Sequence, residues 1–89
     1  MTVRKRVRAH GRVQGVFFRD SVRRAADSAG VAGWAANRPD GTVEAVFEGS
    51  AEAVDRLVEL CRAGPGHASV SQLDVADEEP EGLSGFDVG

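Results

Sequence analysis

Residues 3–9 put Val3, Lys5, Val7 and Ala9 on one side of an alternating run and Arg4, Arg6 and Arg8 on the other. A period of two predicts a strand, with Lys5 the one poor fit to an inward face. Gly11 to Gly15 break the alternation and predict a loop. From Arg19 the period lengthens: Val22, Ala25, Ala26 and Ala29 recur at i, i+3, i+4 and i+7. That spacing predicts an amphipathic helix, and Gly30 stands where a helix-ending glycine is expected. Residues 31–37 read as a second strand and Arg38-Pro39-Asp40-Gly41 as a turn. Thr42 to Glu48 alternate again, with Val43, Ala45 and Phe47 on one side, so strands two and three form a hairpin.

Ser50 can cap a second helix, with Glu52 favourably placed in its first turn. Its apolar stripe is Val54, Leu57, Val58 and Cys61, and Gly64-Pro65-Gly66 stops it. A fourth strand is predicted from about Ala68 to Val75. Val70 is out of phase with Leu73 and Val75, which a bulge or a later start would explain. Asp77 to Glu81 read as a solvated acidic loop, followed by a short closing strand from Phe86 to Val88. The order β-α-β-β-α-β plus a terminal strand is the α+β, ferredoxin-like arrangement. Right-handed crossovers place both helices on one face of an antiparallel sheet.

Length and charge refine this picture. Eighty-nine residues make a single domain over 1–89. No apolar run approaches the roughly 20 residues of a membrane span. The basic stretch Arg4-Lys5-Arg6 is followed only by Val16-Phe17-Phe18, too short for the core of a signal peptide, so a cytoplasmic protein is expected. A lone cysteine excludes an internal disulfide framework and fits a reducing compartment. The net charge of −3 hides an asymmetry. Residues 1–24 hold eight Lys/Arg against one acid, and residues 25–89 hold three against thirteen. A basic end on an acidic chain suggests attraction for an anion at one place rather than a nucleic-acid coat.

The stretch with most chemistry is Gly11-Arg12-Val13-Gln14-Gly15-Val16-Phe17-Phe18-Arg19, a loop between a strand and a helix N-terminus. Such loops aim consecutive backbone N–H groups into one concavity, where the helix dipole adds positive potential. Arg19 could give two parallel hydrogen bonds to phosphate or carboxylate oxygens. The physical reading is a small anion site. It is not a Walker loop, because no Gly-Lys-Ser/Thr follows.

These nine residues resemble the first motif of the acylphosphatases. Gly33-Trp34-Ala35-Ala36-Asn37, followed by Asp40-Gly41-Thr42-Val43, resembles their second. The separation of the motifs, the length and the element order agree as well, so the resemblance covers nearly the whole chain. It implies a phosphate cradle from the backbone N–H groups of Arg12, Val13, Gln14, Gly15 and Val16. It also implies that Arg19 binds the phosphate and Asn37 holds the attacking water. The implied reaction is hydrolysis of small acyl phosphates to a carboxylate and inorganic phosphate, without metal or other cofactor. Ala35 and Ala36 are small where relatives carry bulkier or basic side chains. Phe86-Asp87-Val88-Gly89 lacks the aromatic or basic ending common in the family.

Other residues carry plainer readings. Trp34, Phe17 and Phe18 are expected to pack, and Cys61 to be an inert buried thiol. His10 and His67 share no ligand spacing with each other or with Cys61. Two other classes remain open. One is a non-catalytic small-anion or carbamoyl-phosphate binding module. The other is an RNA-binding ferredoxin-like domain, for which Arg4, Arg6 and Arg8 are the one supporting feature and the scarcity of aromatics an opposing one. The expectation is a monomeric enzyme with no nucleic-acid or membrane partner.

Overall fold

The computed structural model of the protein covers residues 1–89. Alternation builds β1 (Thr2–Arg12), β2 (Ala32–Asn37), β3 (Val43–Ser50) and β4 (Ser69–Glu78), with β5 (Phe86–Val88) closing the chain. The two longer periods build α1 (Phe18–Ala29) and α2 (Ala51–Ala63). The strands form one sheet in the order β4-β1-β3-β2-β5. Among the first four, each strand is antiparallel to its neighbours, as expected of the ferredoxin-like arrangement. β5 corrects the expectation of a purely antiparallel sheet, because it runs parallel to β2. The chain leaves β4 at one edge, crosses the sheet and enters at the far edge in the direction of β2. No helix is long and apolar enough to cross a membrane.

Both helices cover one face, α1 over β2 and β5, α2 over β1, β3 and β4. Beneath them Val7, Ala9, Val43, Ala45 and Phe47 meet Val22 and Ala26 of α1 and Val54, Leu57, Val58 and Cys61 of α2. Ser50 caps α2 as expected, its hydroxyl accepting from the Ala53 N–H at 3.2 Å. Ala29 lies in the last turn of α1 and is exposed, so the stripe of that helix is one residue shorter than its spacing suggests. Burial pushes the Cys61 thiol up to about 12, so it stays protonated and unreactive. Lys5 escapes the core by reaching Asp55 of α2 and Asp77 of β4.

β4 differs from its expected form in two ways. The register passes from His10 opposite Gln72 to Gly11 opposite Val70, leaving Ser71 as an extra residue. That bulge returns Val70 to the face of Leu73 and Val75, which explains its phase. The strand also continues through Asp77 and Glu78, which the sequence reads as loop. They stay in the ladder because β1 extends opposite them: Arg4 is paired with Glu78 and Lys5 with Asp77.

The opposite face of the sheet is closed by charge. Glu44 and Glu48 of β3 and Arg4 of β1 are buried there. Arg4 bonds Glu48 at 2.7 Å and Glu78 at 2.8 Å, and Arg6 bonds Glu78 at 2.6 Å and Glu44 at 2.9 Å. Arg38 joins Glu44 at 2.6 Å. Trp34 packs as expected, but against the guanidinium groups of Arg6 and Arg38, 5.4 and 5.5 Å from its ring centre. The Glu48 carboxylate also accepts the backbone N–H groups of Glu81, Gly82 and Leu83. Those three bonds hold the crossing segment against the sheet and deliver the chain to β5.

Candidate active site

Val13 to Phe17 connect β1 to α1, and side chains anchor them at intervals. Val13, Val16 and Phe18 point into the core, while Gly15 and Phe17 are exposed and Gln14 half-buried. Arg12 ends β1, paired with Ser69, so the loop begins one residue later than the first-motif cradle and two later than the Gly11 break. Gly15 has φ 71°, a conformation that a side chain would strain. No backbone N–H from Val13 to Asp20 finds an acceptor in the chain; the first to do so is Ser21, which donates to the Phe17 carbonyl. The residue capping α1, Phe17, supplies no side-chain acceptor. A run of donors and a helix N-terminus therefore face one concavity with their hydrogen-bonding capacity unspent.

That concavity is a cavity of about 260 Å³ lined by Val13, Gly15, Phe17, Phe18, Arg19, Asp20 and Asn37. The two motifs, about twenty residues apart in sequence, meet here. Arg19 stands in the first turn of α1, pairs with no Asp or Glu side chain, and donates through Nη1 to the main-chain oxygen of Gly89. Asp20 is turned to Arg24 at 2.9 Å. Asn37 is the last residue of β2, exposed, and its side-chain amide makes no hydrogen bond within the chain.

Two contacts fix these parts relative to one another. Gln14 Nε2 donates to the carbonyls of Arg38 at 2.8 Å and Thr42 at 3.0 Å, which clamps the loop to the turn directly after Asn37. The turn itself is closed by Asp40, whose carboxylate accepts from the Thr42 N–H at 3.0 Å and its hydroxyl at 2.6 Å. Those two bonds hold the Asp40 carboxyl below the usual carboxylate range. The Gln14 side chain was not legible as a contact, since the sequence gives its position in a loop and not its partner. Phe17 was misread: it is 68% exposed at the rim of the cavity, not part of the core.

The acylphosphatase family model matches residues 5–88. A curated acylphosphatase of Gloeobacter violaceus is 59% identical over 86 residues, covering 92% of each chain. This chain belongs to the acylphosphatase family. A second acylphosphatase, from Rubrobacter xylanophilus, is 58% identical over 98% of this chain and 80% of its own. The crystal structure of the acylphosphatase from Bacillus subtilis superposes with a TM-score of 0.92 at 36% identity, covering 98% of each chain. The family expected from the two motifs and the ferredoxin-like fold expected from the element order thus both hold. In acylphosphatase terms, the first motif forms the floor of the cavity and the second places Asn37 at its wall.

Proposed function

We propose that this acylphosphatase hydrolyses the carboxyl–phosphate bond of small acyl phosphates, with Arg19 and the loop amides holding the phosphate and Asn37 orienting the attacking water. The observation that carries the reading is the convergence of unspent N–H donors, a guanidinium paired with no Asp or Glu, and a free amide on one small cavity. Phosphoryl transfer depends chiefly on positioning and on stabilising the equatorial oxygens. The amides of Val13, Gln14, Gly15 and Val16, with Arg12 at the edge, and the Arg19 guanidinium are oriented for this before substrate arrives. Asn37 cannot ionise usefully as a base, but its carbonyl and NH₂ can align a water for in-line attack. The leaving carboxylate has a conjugate-acid pKa of about 4, so it departs without a proton from the protein. The substrate phosphate can take up the proton of the water.

The reading extends to a cytoplasmic monomer acting without metal or other cofactor, in keeping with the single buried thiol. An RNA-binding role finds little footing. The sheet face such domains use carries arginines already bonded to glutamates and no exposed aromatic pair.

Hydrolysis of benzoyl phosphate in the presence of EDTA tests the reading. Wild type should turn over and be inhibited by inorganic phosphate. Arg19→Ala and Asn37→Ala should each lose at least about 100-fold in kcat/KM, the range for removal of one oriented transition-state contact. Phosphate binding without turnover would leave an anion-binding module. Turnover untouched by either substitution would move the site elsewhere.

A further inference from the structure

Phe17 is held in a costly conformation and shown to solvent. Its φ is 64°, the one positive value at a non-glycine residue, in the left-handed region that a side chain with a Cβ disfavours. The neighbouring residues explain how the conformation is imposed. Val16 and Phe18 are anchored in the core on either side. The His67 N–H donates to the Val16 carbonyl at 3.1 Å, and Gly66 lies so close that a Cβ there would stand 2.6 Å from the Val16 oxygen. The ring is thereby turned to the cavity rim, where the His67 imidazole meets it edge-on at 6.3 Å. A large exposed aromatic held by backbone strain beside the candidate site calls for a function.

The strand order says which part of the substrate it meets. Asn37 ends β2, which lies beyond β3 on one side of β1, while Gly66 and His67 lead into β4 on the other side. The loop that follows β1 is accordingly held between two flanks. Gln14 ties it to the Asn37 flank and Val16 ties it to the His67 flank. An in-line displacement puts the attacking water and the leaving group on opposite sides of phosphorus. With the water at Asn37, the acyl group lies toward Phe17 and His67.

We propose that Phe17, backed by His67, is the acyl-side platform of this site and selects uncharged aromatic or bulky apolar acyl groups over small ones. The inference rests on the hydrolytic reading above. Ring stacking and partial burial of apolar surface supply the preference.

The test compares kcat/KM for benzoyl phosphate and acetyl phosphate in wild type, Phe17→Ala and Phe17→Tyr, with inhibition by inorganic phosphate measured in each. Phe17→Ala should lower the benzoyl-to-acetyl ratio about fivefold to tenfold. The loss should fall mainly on benzoyl phosphate, because acetyl is too small to cover the ring. Phe17→Tyr should keep the wild-type ratio. An unchanged ratio in Phe17→Ala overturns the proposal. So does a parallel loss on both substrates with weakened phosphate inhibition, which would make Phe17 a support of the loop alone. Wild type that binds phosphate and hydrolyses neither substrate overturns the hydrolytic reading itself, and the platform with it.

Discussion

The first half of the chain carries two sets of arginines with opposite fates. Arg4, Arg6 and Arg8, inside β1, all lie against carboxylates of β3, β4 or the β2–β3 turn. Arg12, Arg19 and Arg23, at the end of β1 and along α1, form no ion pair. The basic excess of β1 is thus cancelled within the sheet, and the guanidinium groups without an acid lie at the end of β1 and on α1. Local charge in the sequence therefore predicts a field poorly. What matters is where cross-strand pairing stops, and here it stops at the loop proposed to bind phosphate.

The largest test of this contrast removes the most deeply buried acid of the paired set. Glu48 is 3% exposed, and its two oxygens accept from Arg4 and from three backbone N–H groups. Glu48→Ala leaves Arg4 buried and short of a partner, and frees the crossing segment. Stability should fall by about 3–5 kcal/mol in urea unfolding, the cost of breaking a buried pair. Inhibition by phosphate should persist wherever the variant is folded. A loss below about 1 kcal/mol would mean that the network contributes little.

Acid should dissolve the paired set next. The hydrogen bonds from Arg6 and Arg4 lower the Glu78 carboxyl from 4.5 to about 2. Burial would raise Glu44 and Glu48, but their arginine and N–H donors outweigh it and hold both below 4.5. Because these groups are more acidic folded than unfolded, their stabilisation is complete above about pH 4.5. It is lost as the pH falls toward 2. Denaturation midpoints across that window should drop, and Glu78→Gln should flatten part of the slope. A wild-type profile that stays level from pH 5 to 2.5 would contradict this. Smallest of all is Arg8→Ala, at a half-exposed residue 3.5 Å from Asp40 and 3.6 Å from Glu44. It should shift stability by less than about 1 kcal/mol and leave kcat/KM within about twofold. A tenfold fall in activity would mean that the paired arginines still project a field to the site.

Local signals carried the element order well. Alternation found the strands, the change of period found the helices, and Gly30 and Ser50 marked a helix end and start where the structure has them. The site was legible because two short motifs each keep their residues within one turn or loop. The misreadings are non-local. Asp77 and Glu78 look like solvated acids until Arg4 and Lys5, more than seventy residues away, are laid beside them. Phe17 looks like core because apolar neighbours flank it. Only the left-handed backbone at that residue turns the ring outward. The parallel entry of β5 depends on Glu48 capturing the crossing segment, which no pattern within residues 79–85 announces.

The bulge at Ser71 has a consequence beyond bringing Val70 into phase. β4 is the outer strand on its side of the sheet, and its ten residues leave one row of peptide groups open to solvent. Such a row invites a strand from a second molecule. Here the extra residue twists the rim, and Asp74 and Asp77 set negative charge along it. A like copy approaching edge to edge would meet a bent ladder and its own sign of charge, so the chain's longest free border resists growing into a fibre.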